Sequence, residues 1–270
     1  MLSRVDIMQE LGDEILIHPL NLGNIKGSSI NLSVGNHAWS LKTKKSIVAD
    51  GKVVIPENDT AFILTKECLY VSDRISGTYH SRVTLTAKGL GHVGTTLDPN
   101  WIGCSLVMIH NHSDVEIPLK IGSPFVTVTL HYLSTPSIDN PTYKGGRPEL
   151  LNDFECSDEY MEWIDNGWQR SSVQLKEQME GCDEYENLLA IKTRGSLFSS
   201  PTSINLLIFL VVIFIMCVFW VYKHYFPENS DFEMVNIVIP LICAYFGMIG
   251  AQLSNYIHNK SFNRTRKRSG

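Results

Sequence analysis

Three segments of this 270-residue chain carry side chains suited to holding an anion and a sugar: 27–35 (GSSINLSVG), 81–103 (SRVTLTAKGLGHVGTTLDPNWIG) and 142–147 (TYKGGR). Gly89, Gly91 and Gly94 let the backbone come close to a ligand and present its amides to a base or a phosphate. Thr95 and Thr96 follow with hydroxyls, and Asp98, held before a proline, can accept hydrogen bonds from a sugar hydroxyl. Ser81, Arg82 and Lys88 offer donors to phosphate oxygens, while Tyr143, Lys144 and Arg147 sit on a glycine-rich stretch that could close as a lid. Together these residues read as a nucleotide site. His110 and His112 flank Asn111, but two residues on one strand face without a suitably spaced third ligand do not make a metal centre. No metal site is expected.

The elements that must position these groups are strands. Between residues 30 and 134 the runs INLSV, KVVIP, AFILT, CLYVS, RVTLTA, SLVMIHN, EIPLKI and PFVTVTLHYL are separated by turn signals such as Gly-Asn, Asp-Gly and Asp-Pro-Asn. That rhythm predicts an all-β barrel or sandwich. Ahead of it, Val5, Met8, Leu11 and Ile15 after Ser3 predict a short amphipathic helix capping the core. Residues 149–200 read as an acidic helical connector: 149–186 hold twelve acidic and two basic side chains, and Trp163, Ile164, Trp168, Val173, Leu175, Met179, Leu188 and Leu189 fall at partly helical spacing.

The order and spacing of these motifs resemble the dCTP deaminase and dUTPase superfamily. The resemblance covers about residues 1–148. It rests on the opening MLSRVDIMQEL through IHPL, on LDPNWIG, on the following strand with HNHS, and on YKGG. It implies a distorted β-barrel that assembles as a homo-oligomer, a trimer, and binds deoxynucleoside triphosphates between subunits with Mg²⁺ on the phosphates. It also implies a glutamate on the strand after the Asp-Pro-x-Trp-x-Gly turn, acting as general acid and base. Counting forward from Trp101, that position falls on Met108, which cannot transfer a proton. The arginine expected near Leu85–Lys88 is absent, and Asn31-Leu32-Ser33 stands where the family has Asp-Leu-Arg. Deamination by the family mechanism is therefore not expected. If the chain is an enzyme, Asp98 is the candidate catalytic residue, by position that of the dUTPase aspartate that orients water.

The C-terminal part, residues 201–270, reads as a membrane hairpin. Ile204–Tyr222 is nineteen uncharged residues, roughly 28 Å as a helix, and a second uncharged run covers Val235–Ile257. The loop between them carries one lysine and three acids, whereas residues 259–270 hold five basic side chains and no acid. Both ends are thus expected in the cytoplasm of a two-pass protein of the cell membrane. The N-terminus has no apolar core of signal-peptide length. Residues 1–200 have 17 basic against 25 acidic side chains, which excludes a general binder of duplex DNA or RNA. Six scattered cysteines without a Cys-x-x-Cys pair suit a reducing compartment. The architecture resembles two-span membrane effectors of antiphage defence, in which a β-rich domain senses a nucleotide or cyclic oligonucleotide. The leading expectation is such a sensor, with an active membrane-tethered dCTP deaminase or dUTPase as the alternative.

Overall fold

The computed structural model describes residues 1–91, 94–138, 145–158, 160–162 and 171–199. The two expected spans, the segment holding Tyr143 and Lys144, and Trp163 and Trp168 lie outside the described residues. Among the described residues no helix is long and apolar enough to cross a membrane. The chain divides into two units, Met1–Lys192 and Thr193–Gly270.

Helix α1 (Arg4–Glu10) begins where Ser3 and Asp6 cap each other reciprocally, as anticipated. It is shorter than the sequence pattern suggests. Leu11 ends it in extended conformation and Ile15 belongs to β1 (Ile15–His18), so the apolar 3–4 spacing continues across a helix boundary. Val5 is exposed, and Ile7 and Met8 are the residues the helix buries.

Strands β2 (Ile25–Lys26), β3 (Ser29–Ser40), β4 (Val48–Ala49), β5 (Lys52–Ile55), β6 (Thr60–Val71) and β7 (Ile75–Ser81) follow. Helix α2 (Val83–Thr86) leads to β8 (Leu90–Gly91), β9 (Thr96–Leu97), β10 (Ile102–Asn111), β11 (Ile117–Lys120) and β12 (Pro124–Tyr132). The larger sheet runs β8-β10-β6-β3-β12-β7-β9, with β1 added to β6 and β2 to β3; β11-β5-β4 form a smaller one. Register shifts at Cys104/Leu106 and Val34/Ala38 bend the long strands, which is how a flat ladder curls around a core. Asp50 and Gly51 both take positive φ in the two-residue turn between β4 and β5, the geometry that an Asp-Gly hairpin requires. The mainly β reading holds.

Two strand expectations change. AFILT and CLYVS are one strand, β6, because the polar Glu67 between them is buried with its carboxylate accepting the Ser33 N–H at 2.6 Å. RVTLTA is not a strand: Val83–Thr86 is a turn of helix.

The larger sheet curls without closing into the expected barrel, and helices α3 (Ser172–Glu180) and α4 (Tyr185–Ser199) follow it in sequence. Leu175, Met179 and Leu188 are fully buried, and α3 packs against β1. At this contact the His18 Nδ1–H donates to the Gln178 carbonyl at 3.1 Å, with the Cys182 Sγ 3.3 Å away. Burial holds the His18 imidazole below its ordinary value of 6.5, more than the Gln178 bond raises it. The unfolded chain then binds this proton more readily than the folded one. His18 leaves stability intact above pH 6.5 and erodes it as the pH falls below that value. The melting temperature is expected to drop between pH 7 and pH 5.5 by more in wild type than in His18→Gln. Equal slopes in the two proteins would refute this.

Candidate functional site

Strand β10 forms the floor of a cleft of about 850 Å³. The Asp98-Pro99-Asn100-Trp101 turn enters β10 from one end, with Asn100 at φ 60°. The turn is anchored from both sides: the Asn100 N–H donates to the Ser72 carbonyl (3.2 Å) and the Val71 N–H to the Trp101 carbonyl (3.1 Å). Asp98 is exposed at the cleft wall and accepts from the Thr96 hydroxyl at 3.3 Å. No hydrogen bond to the other carboxylate oxygen is made among the described residues.

Behind Asp98, the Tyr79 and Ser105 hydroxyls lie 2.6 Å apart. Burial pushes the Tyr79 phenol up to about 12, against the Ser105 bond, and the Asp98 charge adds to the rise. Tyr79 is thus a neutral hydroxyl at physiological pH. The Ser105 N–H in turn donates to Thr65 Oγ1 (2.9 Å), so the pair is fixed by β6. At the far end of the cleft, His110 and His112 are in edge-to-face contact, 4.4 Å between centroids, near Thr60 and Gly91. Met108 lines the cleft between the two ends.

Gly94, Thr95, Thr96, Asp98 and Arg147 are therefore brought together in one cleft. Arg147 arrives because Gly145 lies flat against Gly103 and the Gly146 N–H donates to the Cys104 carbonyl at 2.7 Å; its guanidinium also contacts Glu149. Ser81 and Arg82 are elsewhere. They line a second groove of about 700 Å³ with Ser28, Thr78, His80 and Thr129, and the Arg82 Nη1 donates to the Pro124 carbonyl at 2.8 Å. Lys88 lines neither and stays exposed. The sequence reading missed Tyr79, Ser105 and Thr60. Only strand alternation could have pointed to them, since their partners lie tens of residues away. Among the described residues no group of three or more metal-ligating side chains gathers.

No family model matches the chain. Its curated relatives are more informative. It is 31% identical over 142 residues to a dCTP deaminase of Pyrococcus abyssi, a match spanning 52% of this chain and 92% of the relative. The chain belongs to the dCTP deaminase family. A second dCTP deaminase, from Thermococcus sibiricus, is 33% identical over 49% of this chain and 83% of its own length. A probable deoxyuridine 5'-triphosphate nucleotidohydrolase of Sulfolobus islandicus rod-shaped virus 1 is 25% identical over 54% and 90%. Among solved structures, the 2'-deoxycytidine 5'-triphosphate deaminase of Agrobacterium tumefaciens is 12% identical, with a TM-score of 0.42 over 49% of this chain and 47% of that one. Met108, the position at which the resemblance led to the expectation of a glutamate, is half-buried in the cleft floor.

Proposed function

We propose that this protein is a membrane-anchored, nucleotide-responsive effector whose β-domain binds a nucleotide in the Asp98 cleft and controls a C-terminal transmembrane hairpin. Met108 carries the reading. A cleft with hydroxyls, a carboxylate and a guanidinium at one end can bind a nucleotide. With Met108 in the floor, deamination by the glutamate mechanism has no proton carrier at its usual place. The two uncharged runs at 204–222 and 235–257 supply the second half of the argument, because a soluble enzyme of nucleotide supply has no use for them.

The Asp98 cleft and the Arg82 groove are separate surfaces of one chain. A trimer in which one subunit's cleft meets the next subunit's groove would reunite them around one ligand, with Mg²⁺ on its phosphates. Binding then acts on the membrane segment only through a difference in affinity between two states of the assembly.

The test uses full-length protein in detergent and in dye-loaded vesicles, with dCTP, dUTP, ATP and cyclic di- and trinucleotides as probes. At least one probe is expected to raise the melting temperature and to change dye release. Asp98→Ala is expected to weaken that probe about tenfold, the size of one hydrogen bond to a charged group. A full panel without effect on melting or release would overturn the proposal.

A further inference from the structure

We infer that the Asp98 cleft takes a purine nucleotide, its fused ring lying over Met108 with the far edge against the His110–His112 pair. The inference rests on the reading of the cleft as a nucleotide site and deepens it by naming the class of base.

The direction of the ligand comes first. The groups suited to a sugar and phosphates, Thr95, Thr96, Asp98 and Arg147, stand at one end of the cleft. A base attached to that sugar extends along the β10 floor, over Met108 and toward His110. Met108 and His110 are two residues apart on one strand, so their side chains leave the same face roughly 6.6 Å from each other. Both are half-buried, while Ile109 between them points into the core. A single six-membered ring seated over the Met108 thioether stops short of the imidazoles. A fused pair of rings covers the thioether and reaches them.

The chemistry of the floor agrees. A thioether offers no donor and only a weak acceptor to the polar edge of a pyrimidine stopping there. Together with two imidazoles it makes a polarizable surface, which favours contact with an extended aromatic ring.

The imidazole pair is also held in place. The His110 Nδ1 lies 3.0 Å from the hydroxyl of Thr60, its register partner on β6. Its ring meets His112 edge-to-face, and its Nε2 makes no hydrogen bond among the described residues, so a base edge bonds there without displacing a protein partner. Opposite His110, on β8, stands Gly91. A Cβ there would come within 2.8 Å of the His112 Nε2, so the glycine leaves the far end uncrowded.

The experiment measures, by calorimetry, the dissociation constants of the full-length protein in detergent for dATP, dGTP, dCTP and dUTP with Mg²⁺. At least one purine is expected to bind about tenfold more tightly than either pyrimidine, the size of one added stacking contact. His110→Ala is expected to lower that affinity about tenfold and to leave dCTP and dUTP within about threefold of wild type. His110→Phe keeps a flat ring without the Thr60 bond and is expected to retain the purine preference, which a role confined to holding β10 against β6 would not produce. The wild-type comparison needs no variant, so it decides even where a substitution impairs folding. Equal affinities, a pyrimidine that binds more tightly, or a His110→Ala loss shared by all four nucleotides overturns the inference while the nucleotide-binding reading stands. If none of the four binds, the inference falls as well. The reading beneath it falls only when ATP and the cyclic di- and trinucleotides also fail to bind.

Discussion

Gly103→Ala is expected to lower the melting temperature by about 5–10 °C, reflecting about 2–4 kcal/mol, and to withdraw Arg147 from the cleft. Gly103 sits on β10 at φ 143°, a conformation that side chains rarely adopt and that costs on the order of 1–3 kcal/mol when they do. Space adds to the penalty. A Cβ at Gly103 would overlap the Gly145 Cα, and one at Gly145 would come within 2.5 Å of the Gly103 Cα and 2.7 Å of the Ile102 carbonyl oxygen. Backbone meets backbone here, with no flexible side chain to yield. The stretch that carries Arg147 must therefore lift off the strand, losing the Gly146–Cys104 hydrogen bond. Gly122→Ala separates the two costs, because Gly122 also has positive φ (79°) but nothing within 4 Å of its added Cβ. Its loss should be the smaller of the two. Thermal melts that place Gly103→Ala and Gly122→Ala together would show that the close approach contributes nothing.

Particular residues show what the sequence makes legible. The Asp50-Gly51 turn and the Ser3 cap could be read directly, because the residues that dictate them are the residues that adopt them. The RVTLTA segment could not. Its composition favours a strand, yet pairing with β12 ends at Ser81 opposite Val126, and β12 itself begins at Pro124. With no partner strand to satisfy the backbone, local bonds take over: the Thr86 N–H donates to the Arg82 carbonyl and the Ala87 N–H to that of Val83. The fate of the segment was decided by where another strand stops. The same holds for the site. Gly91, Gly94, the threonine pair and Asp98 lie within eight residues of sequence and line one cleft. Ser81 and Arg82, only a dozen residues earlier, line the second groove with Thr78 and His80, although Tyr79 of the same strand β7 lines the Asp98 cleft. Tyr79 and Ser105 meet across strands, which spacing along the chain does not encode.

Leu175→Ala is expected to cost about 2–5 kcal/mol and to open the Ser172–Lys192 region to protease, with little effect on the sheet strands. Leu175, Met179 and Leu188 are fully buried, so truncation leaves a cavity at the contact of α3 with β1. The polar links around it are weaker. The Leu22 N–H reaches the Glu184 carboxylate, the Leu20 N–H points to the Cys182 Sγ at 3.5 Å, and Lys192 meets the exposed Asp13 at 3.3 Å. An ion pair open to solvent contributes about 0–1 kcal/mol, so Asp13→Ala should barely register while Leu175→Ala is severe. The contact also adjoins the cleft. Ser72 holds the Asn100 turn through its carbonyl and the Glu14 carbonyl through its N–H, and Glu14 is next to the Asp13 that Lys192 meets. If a nucleotide binds as proposed and moves the Asp98 turn, the Ser72 and Glu14 bonds are the route by which the helices are expected to respond. Limited proteolysis of Leu175→Ala and Asp13→Ala, with and without a bound nucleotide, measures this. If Asp13→Ala loosened the helices as much as Leu175→Ala, the apolar contact would not be what holds them.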